Sequence, residues 1–183
     1  MQRHKNHGRE PPGVDPLTSE SPLIIDVGPA NGARLAPANR YAIFAKSPLT
    51  GVFGEAYAGG FVAPQVNATG YDAILIEGAA DSPVFLEISD TVVAFHGAPP
   101  FWAMGLYEAE GALQGAVDAR RARAIVIGPA GENQVPFAVV GNDGGHQAGR
   151  TGMGAVFGSK KLKGIVFHGE ARRELHDAEA IMS

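Results

Sequence analysis

Between Asn142 and Lys163 the chain sets glycines 144, 145, 149, 152, 154 and 158 around Arg150 and Lys160, Lys161 and Lys163. Glycine carries no Cβ, so backbone N–H groups in such a stretch can approach a ligand closely. If Met153–Ser159 starts a helix, its N-terminus adds a dipole that favours an anion. Arg150 could grip a phosphate through its planar fork, and the three lysines could add charge. The chemistry this points to is a grip on a phosphate-bearing cofactor. The same glycines would equally let a helix pack tightly on a sheet, and composition alone does not choose between the two. Arg40 is a second candidate anion clamp, and Ala58-Gly59-Gly60-Phe61 a second candidate for close backbone approach. In Gly128-Pro-Ala-Gly-Glu-Asn133, a compact turn, Glu132 and Asn133 are expected to satisfy backbone groups rather than catalyse.

Familiar motifs are excluded one by one. A Walker A loop ends in Gly-Lys-Ser/Thr, whereas this chain has Gly158-Ser159-Lys160. The dinucleotide fingerprint G-x-G-x-x-G fails by one residue, because Gly152-x-Gly154 is followed by Gly158. The histidines at 4, 7, 96, 146, 168 and 176 make no H-x-x-x-H or H-E-x-x-H spacing, and no G-x-S-x-G elbow occurs. With no cysteine, a thiolate nucleophile, a disulfide and a cysteine-ligated iron–sulfur cluster are all impossible within the chain. That composition fits a cytoplasmic location. A net charge of −4 gives no basic field for nucleic acid. No apolar run approaches the ~20 residues that span a bilayer, and Met1–Glu10 has no apolar core of the kind a secretory signal needs.

Any ligand-gripping loops must be held by neighbouring elements, and these are mostly strands. Met1–Ser21 reads as an extended lead-in. Strands are expected at Leu23–Val27, Tyr41–Ala45, Ala73–Glu77, Val84–Ile88, Thr91–Phe95, Ala124–Ile127, Val135–Gly141 and Leu162–Phe167. Ser89-Asp90 reads as a hairpin turn, with Glu87 facing water. Gly51–Gly70 reads as loop. One amphipathic helix is expected over Gly105–Ala119, weakened by Gly111 and Gly115, and Arg172–Ile181 reads as a frayed helix. Strands without regular βαβ alternation argue for a β-sheet-rich α+β domain, long enough at 183 residues for one core.

Taken in order, the runs Pro12-Gly-Val-Asp-Pro-Leu17, Lys46-Ser-Pro-Leu-Thr-Gly51, Gly70-Tyr-Asp-Ala-Ile74, Ile127-Gly-Pro-Ala-Gly-Glu-Asn133 and Ala148–Lys163 are more specific than any one alone. Together they resemble the N-terminal domain of the tungsten-containing aldehyde:ferredoxin oxidoreductase family, over residues 11–169. Residues 1–10 are then an unplaced polar leader and 170–183 a charged tail. The resemblance implies a β-sheet base that carries a tungsten bis-pterin cofactor, with magnesium bridging the pterin phosphates. It further implies a complete enzyme that oxidises aldehydes with oxygen from water and passes electrons through a [4Fe–4S] cluster to ferredoxin.

By position, the resemblance assigns cofactor binding to Arg40, Gly59, His146, Ala148, Gly149 and Arg150. It assigns the magnesium to the main-chain carbonyls of Tyr57 and Gln147. Family members commonly carry asparagine where Tyr57 stands, arginine where His146 stands and alanine where Gln147 stands. A neutral imidazole lacks arginine's fixed fork. The family's opening stretch and its cysteine-bearing helical domains have no counterpart here, which leads to the expectation of a fragment, incomplete at its N-terminal edge. Its partners would be the missing C-terminal domains or a cysteine-bearing partner chain. Two other readings are a scaffold that keeps the fold without cofactor, and a generic nucleotide- or phosphate-binding module.

Overall fold

Alternation of large apolar residues with smaller or polar ones builds the first sheet. In the computed structural model, which describes residues 13–32 and 38–171, β1 (Leu23–Val27) buries Leu23, Ile25 and Val27 and turns Ile24 and Asp26 outward. It pairs antiparallel with β2 (Tyr41–Lys46) on one side and β4 (Ala73–Ile76) on the other. β3 (Phe53–Ala58) adds to β2, so the order is β3-β2-β1-β4.

The second sheet has six strands in the order β6-β5-β10-β7-β8-β9. They are β5 (Val84–Ile88), β6 (Val93–Gly97), β7 (Arg123–Val126), β8 (Val140–Asn142), β9 (His146–Ala148) and β10 (Leu162–Phe167). The β5–β10 pair is parallel, and the remaining pairs are antiparallel. Ile25, Ile43 and Ala56 from one sheet meet Ile88, Ile125 and Ile165 from the other in the larger core. Complete burial of each such branched aliphatic side chain contributes roughly 1.5–3 kcal/mol. A second core forms on the far side of the six-stranded sheet, where α2 (Leu106–Ala116) lays Ala109 and Leu113 on Ala124, Val126 and Val166. The result is the expected sheet-rich α+β arrangement, two sheets and a covering helix.

Four expectations need correction. The stretch 51–70 holds β3 and the helix α1 (Val62–Ala68) rather than a loop. β3 escapes a hydrophobicity reading because its inward positions are Gly54, Ala56 and Ala58, small residues that let the neighbouring layer approach. The strand expected at Val135–Gly141 shortens to β8, since the preceding residues turn back with Ala138 N–H donating to Val135 O. The third is a shift of two residues in β6, because Ser89 Oγ accepts N–H bonds from Thr91 and Val92 and prolongs the turn. Finally, Glu87 does not face open water. It accepts from His96 Nε2 at 2.7 Å and from His168 Nε2 at 2.9 Å. Burial alone would raise its carboxyl pKa, but the two histidine hydrogen bonds outweigh that and hold it below the ordinary value. The leader at 1–10 and the helix expected over Arg172–Ile181 lie outside the described residues.

Candidate functional site

β3 and β9 are edge strands of different sheets, and the fold brings them side by side. A Cβ placed on Gly59 would lie 3.7 Å from His146 Nδ1, and at the other end Thr151 Oγ1 donates to Glu55 O at 3.2 Å. The segments 55–59 and 146–151 therefore run past each other in opposite directions. Arg40 joins them from the start of β2, where Tyr41 pairs with Ala58. Asn31 fixes its backbone, accepting from Arg40 N–H at 3.1 Å and donating to Arg40 O at 2.9 Å.

The structure thus gathers Arg40, Tyr57, Gly59, His146, Gln147, Gly149 and Arg150 on one strip of surface. All but Gly59 are exposed, and Gly59 is half-buried. Ala148 is the exception: it is fully buried, backbone included, and presents no surface to a ligand. Among the described residues neither the Arg40 nor the Arg150 guanidinium has a hydrogen-bond or ion-pair partner, which leaves both forks open to an anion. Tyr57 donates its hydroxyl to Glu55 Oε2 at 2.9 Å, and that hydrogen bond holds the phenol above its ordinary pKa. Among the described residues no group of three or more His, Asp or Glu side chains is arranged to hold a metal ion. A surface concavity of about 660 Å³ lies elsewhere, beside Gln65, Arg120 and His168, so the strip is an open shelf rather than that pocket.

The glycines divide into those that packing requires and those that it does not. A Cβ on Gly158 would lie 1.8 Å from Gly131 O, because α4 (Met153–Ser159) packs directly on α3 (Pro129–Glu132). By contrast, a Cβ on Gly145 meets nothing within 4 Å, one on Gly149 touches Val139 at an ordinary 3.5 Å, and one on Gly59 meets only contacts of 3.7 Å or more. None of those three has the left-handed backbone that would demand glycine. Packing among the described residues therefore does not require glycine at these three positions, as it does not at Gly105, Gly111 and Gly115 of the α2 region, and the shelf surface is left without side chains there.

The α4 N-terminus is not the anion site that the sequence suggested. Gly154 N–H donates to Ala138 O, and every residue from Gly152 to Gly158 is buried. Two of the lysines, Lys160 and Lys163, are buried and committed internally, and Lys161 is bonded at the surface. Lys160 Nζ donates to Gly78 O, Lys161 Nζ to Asp81 O, and Lys163, wholly buried, to Met104 O and Glu132. Glu132 also accepts from Ala103 N–H, the structural role expected of it.

A family model described as "Aldehyde ferredoxin oxidoreductase, N-terminal domain" matches residues 4–169. The chain belongs to this family. It is 44% identical over 171 residues to a tungsten-containing aldehyde ferredoxin oxidoreductase of Pyrococcus abyssi, and 40% identical to one of Pyrococcus furiosus. In each case the match covers 93% of this chain and 28% of the relative. A Pyrococcus furiosus protein described as an aliphatic sulfonate oxidoreductase, WOR-like subunit, is 36% identical over 180 residues. Among solved structures, the active-site complex BamBC of benzoyl coenzyme A reductase, bound to 1,5-dienoyl-CoA, superposes with a TM-score of 0.84. It is 33% identical, over 87% of this chain and 24% of that one. The chain therefore spans little more than a quarter of the relatives it matches, as the N-terminal domain of this oxidoreductase family.

Sequence reasoning missed Asn142, Asp143 and Glu110, which hold the shelf together. Asn142 and Asp143 stand at the start of the glycine-rich stretch, and nothing in the spacing links them to a helix more than thirty residues earlier.

Proposed function

We propose that this chain is the cofactor-carrying base of a tungsten-dependent aldehyde oxidoreductase, with the bis-pterin group laid across the β3–β9 shelf. The observation that carries the reading is the set of three glycines, 59, 145 and 149, that packing among the described residues does not require, flanked by two guanidinium groups with no partner among those residues. Arg40 and Arg150 would clamp pterin phosphates from the two ends. His146, beside Gly59, would offer a ring nitrogen, and the backbone of the exposed Gly149 would lie against the ring system. Tyr57 and Gln147 sit on edge strands, whose outer row of main-chain groups is unpaired within the sheet. Their carbonyls suit a hard divalent cation such as magnesium, which takes oxygen donors. A tyrosine side chain at 57 does not disturb a main-chain donor.

When bound, the cofactor supplies the redox centre that takes two electrons from an aldehyde as oxygen from water is added to give the carboxylic acid. The domain's own part is to bind, orient and flank that group. Relatives named for an aldehyde, a sulfonate and a benzoyl thioester share this domain, so it serves what they have in common rather than substrate choice. Ligands for an iron–sulfur cluster and the walls of a substrate pocket would come from polypeptide outside this chain, which has no cysteine. Ferredoxin would be the acceptor of the whole enzyme, acting in the cytoplasm. Because the three lysines are engaged elsewhere, a generic phosphate-binding module has lost its main support.

The test is to express the chain together with the remaining domains of a close relative in a tungstate-fed host, and to measure tungsten and released pterin. Two pterins and one tungsten per complex are expected, with at least a tenfold drop on Arg40→Ala combined with Arg150→Ala. A folded complex without pterin would sink the proposal.

A further inference from the structure

Two shelf segments far apart in sequence meet with no β-ladder between them, so something else must set their spacing. Asn142, only 2% exposed, reaches across. Its Nδ2 donates to Gly59 O at 2.9 Å and to Asp143 Oδ2 at 2.8 Å, and its Oδ1 accepts from Tyr41 Oη at 2.8 Å. The orientation of the amide follows from its partners, since Gly59 O can only accept and must face the NH2 group. Tyr41 must then remain a phenol. Burial, followed by the charges of Asp143 and Glu110, pushes its pKa far above the ordinary value and keeps the proton in place.

Asp143 makes the second crossing. Its Oδ2 accepts from Phe61 N–H at 2.6 Å, and Arg123 Nε lies 3.4 Å from its Oδ1. Only a glycine at 60 allows this, because a Cβ there would lie 2.3 Å from Asp143 Oδ2. Glu110, 8% exposed on α2, holds the turn from behind by accepting from Asp143 N–H at 2.6 Å and Gly144 N–H at 3.0 Å. Backbone and side-chain groups of both segments are thereby tied into one buried network, in which partial satisfaction is costly and full satisfaction rigidifies.

We propose that Asn142 and Asp143 are positioning residues that fix Gly59–Phe61 against Gly144–Gln147 and so set the width of the shelf. The proposal rests on the cofactor-carrying reading above. Neither residue needs to touch the cofactor. They act through Gly59 and His146, which face it.

The experiment compares wild type with Asp143→Ala, Asp143→Asn and Asn142→Asp in the same complemented complex. It measures amide hydrogen exchange by segment and the pterin content of the same samples. Asp143→Asn keeps an acceptor oxygen and tolerates the left-handed backbone at 143 (φ 46°). Asn142→Asp removes the donor to Gly59 O and sets a carboxylate against two acceptors. Expected in Asp143→Ala and Asn142→Asp is exchange faster by at least tenfold in both segments together, with β5 and β10 unchanged, and pterin content reduced at least fivefold. Asp143→Asn should recover most of both. Faster exchange in one segment alone, or coupled loosening with full pterin content, would overturn the positioning role while leaving the cofactor reading intact. A wild-type complex that holds no pterin overturns both.

Discussion

The glycine-rich stretch is two regions with opposite uses. From Gly145 to Arg150 glycine leaves space outside the protein, next to an arginine with no partner among the described residues. From Gly152 to Lys163 it removes space inside, letting α4 settle on α3, and the lysines that follow are consumed by carbonyls and a buried carboxylate. Glycine density therefore says that something approaches closely, and the surroundings decide whether that is a ligand or the protein itself. On the proposed reading the anion chemistry rests with Arg150 and Arg40, because the α4 N-terminus and most of the lysines are engaged within the fold.

The difference between the halves can be broken by substitution. The largest effect is expected from Lys163→Ala, which strands the Glu132 carboxylate in the core and should cost about 3–5 kcal/mol in chemical denaturation. Retention of wild-type stability would return Lys163 to the ligand side. Gly158→Ala drives a methyl into Gly131 O and should cost about 3 kcal/mol, read as a lowered urea midpoint with an unchanged slope.

Glu87→Gln probes a third region, on neither half, and should cost about 1 kcal/mol at neutral pH. The folded carboxyl titrates below its ordinary value of 4.5. Its contribution is therefore complete above that value and is lost as pH falls through the lower folded one. The gap between Glu87→Gln and wild type should close accordingly in urea titrations from pH 7 down to pH 3. A gap that widens with acid would contradict the assignment. Smallest in stability is Gly145→Ala, expected within about 0.5 kcal/mol of wild type yet with pterin content reduced at least fivefold. Gly59→Ala should share that pattern. If either loses stability as Gly158→Ala does, the division of the stretch into two uses fails.

The strands β1, β5 and β10 were legible to the residue, because branched aliphatics at strand period have few other ways to be buried. β3 was not, since glycine and alanine at its inward positions carry little hydrophobic signal although they alternate correctly. β9 was hidden by its three-residue length and by a polar pair, His146-Gln147, that faces out. The arginines and Gly59 were legible as chemistry, but only the resemblance gave them a ligand.

By itself the sequence determined that this is a strand-rich, cysteine-free domain of one oxidoreductase family, since composition, period and ordered motifs are properties of the chain alone. Only the tertiary structure decided which glycines face outward, that Lys160 and Lys163 are spent internally, and that Asn142 and Asp143 bind two distant segments into one shelf. The physical reason is that vacancy beside a backbone and hydrogen bonds across 83 residues of chain are relations between surfaces. Such relations come into being only when two sheets pack edge beside edge.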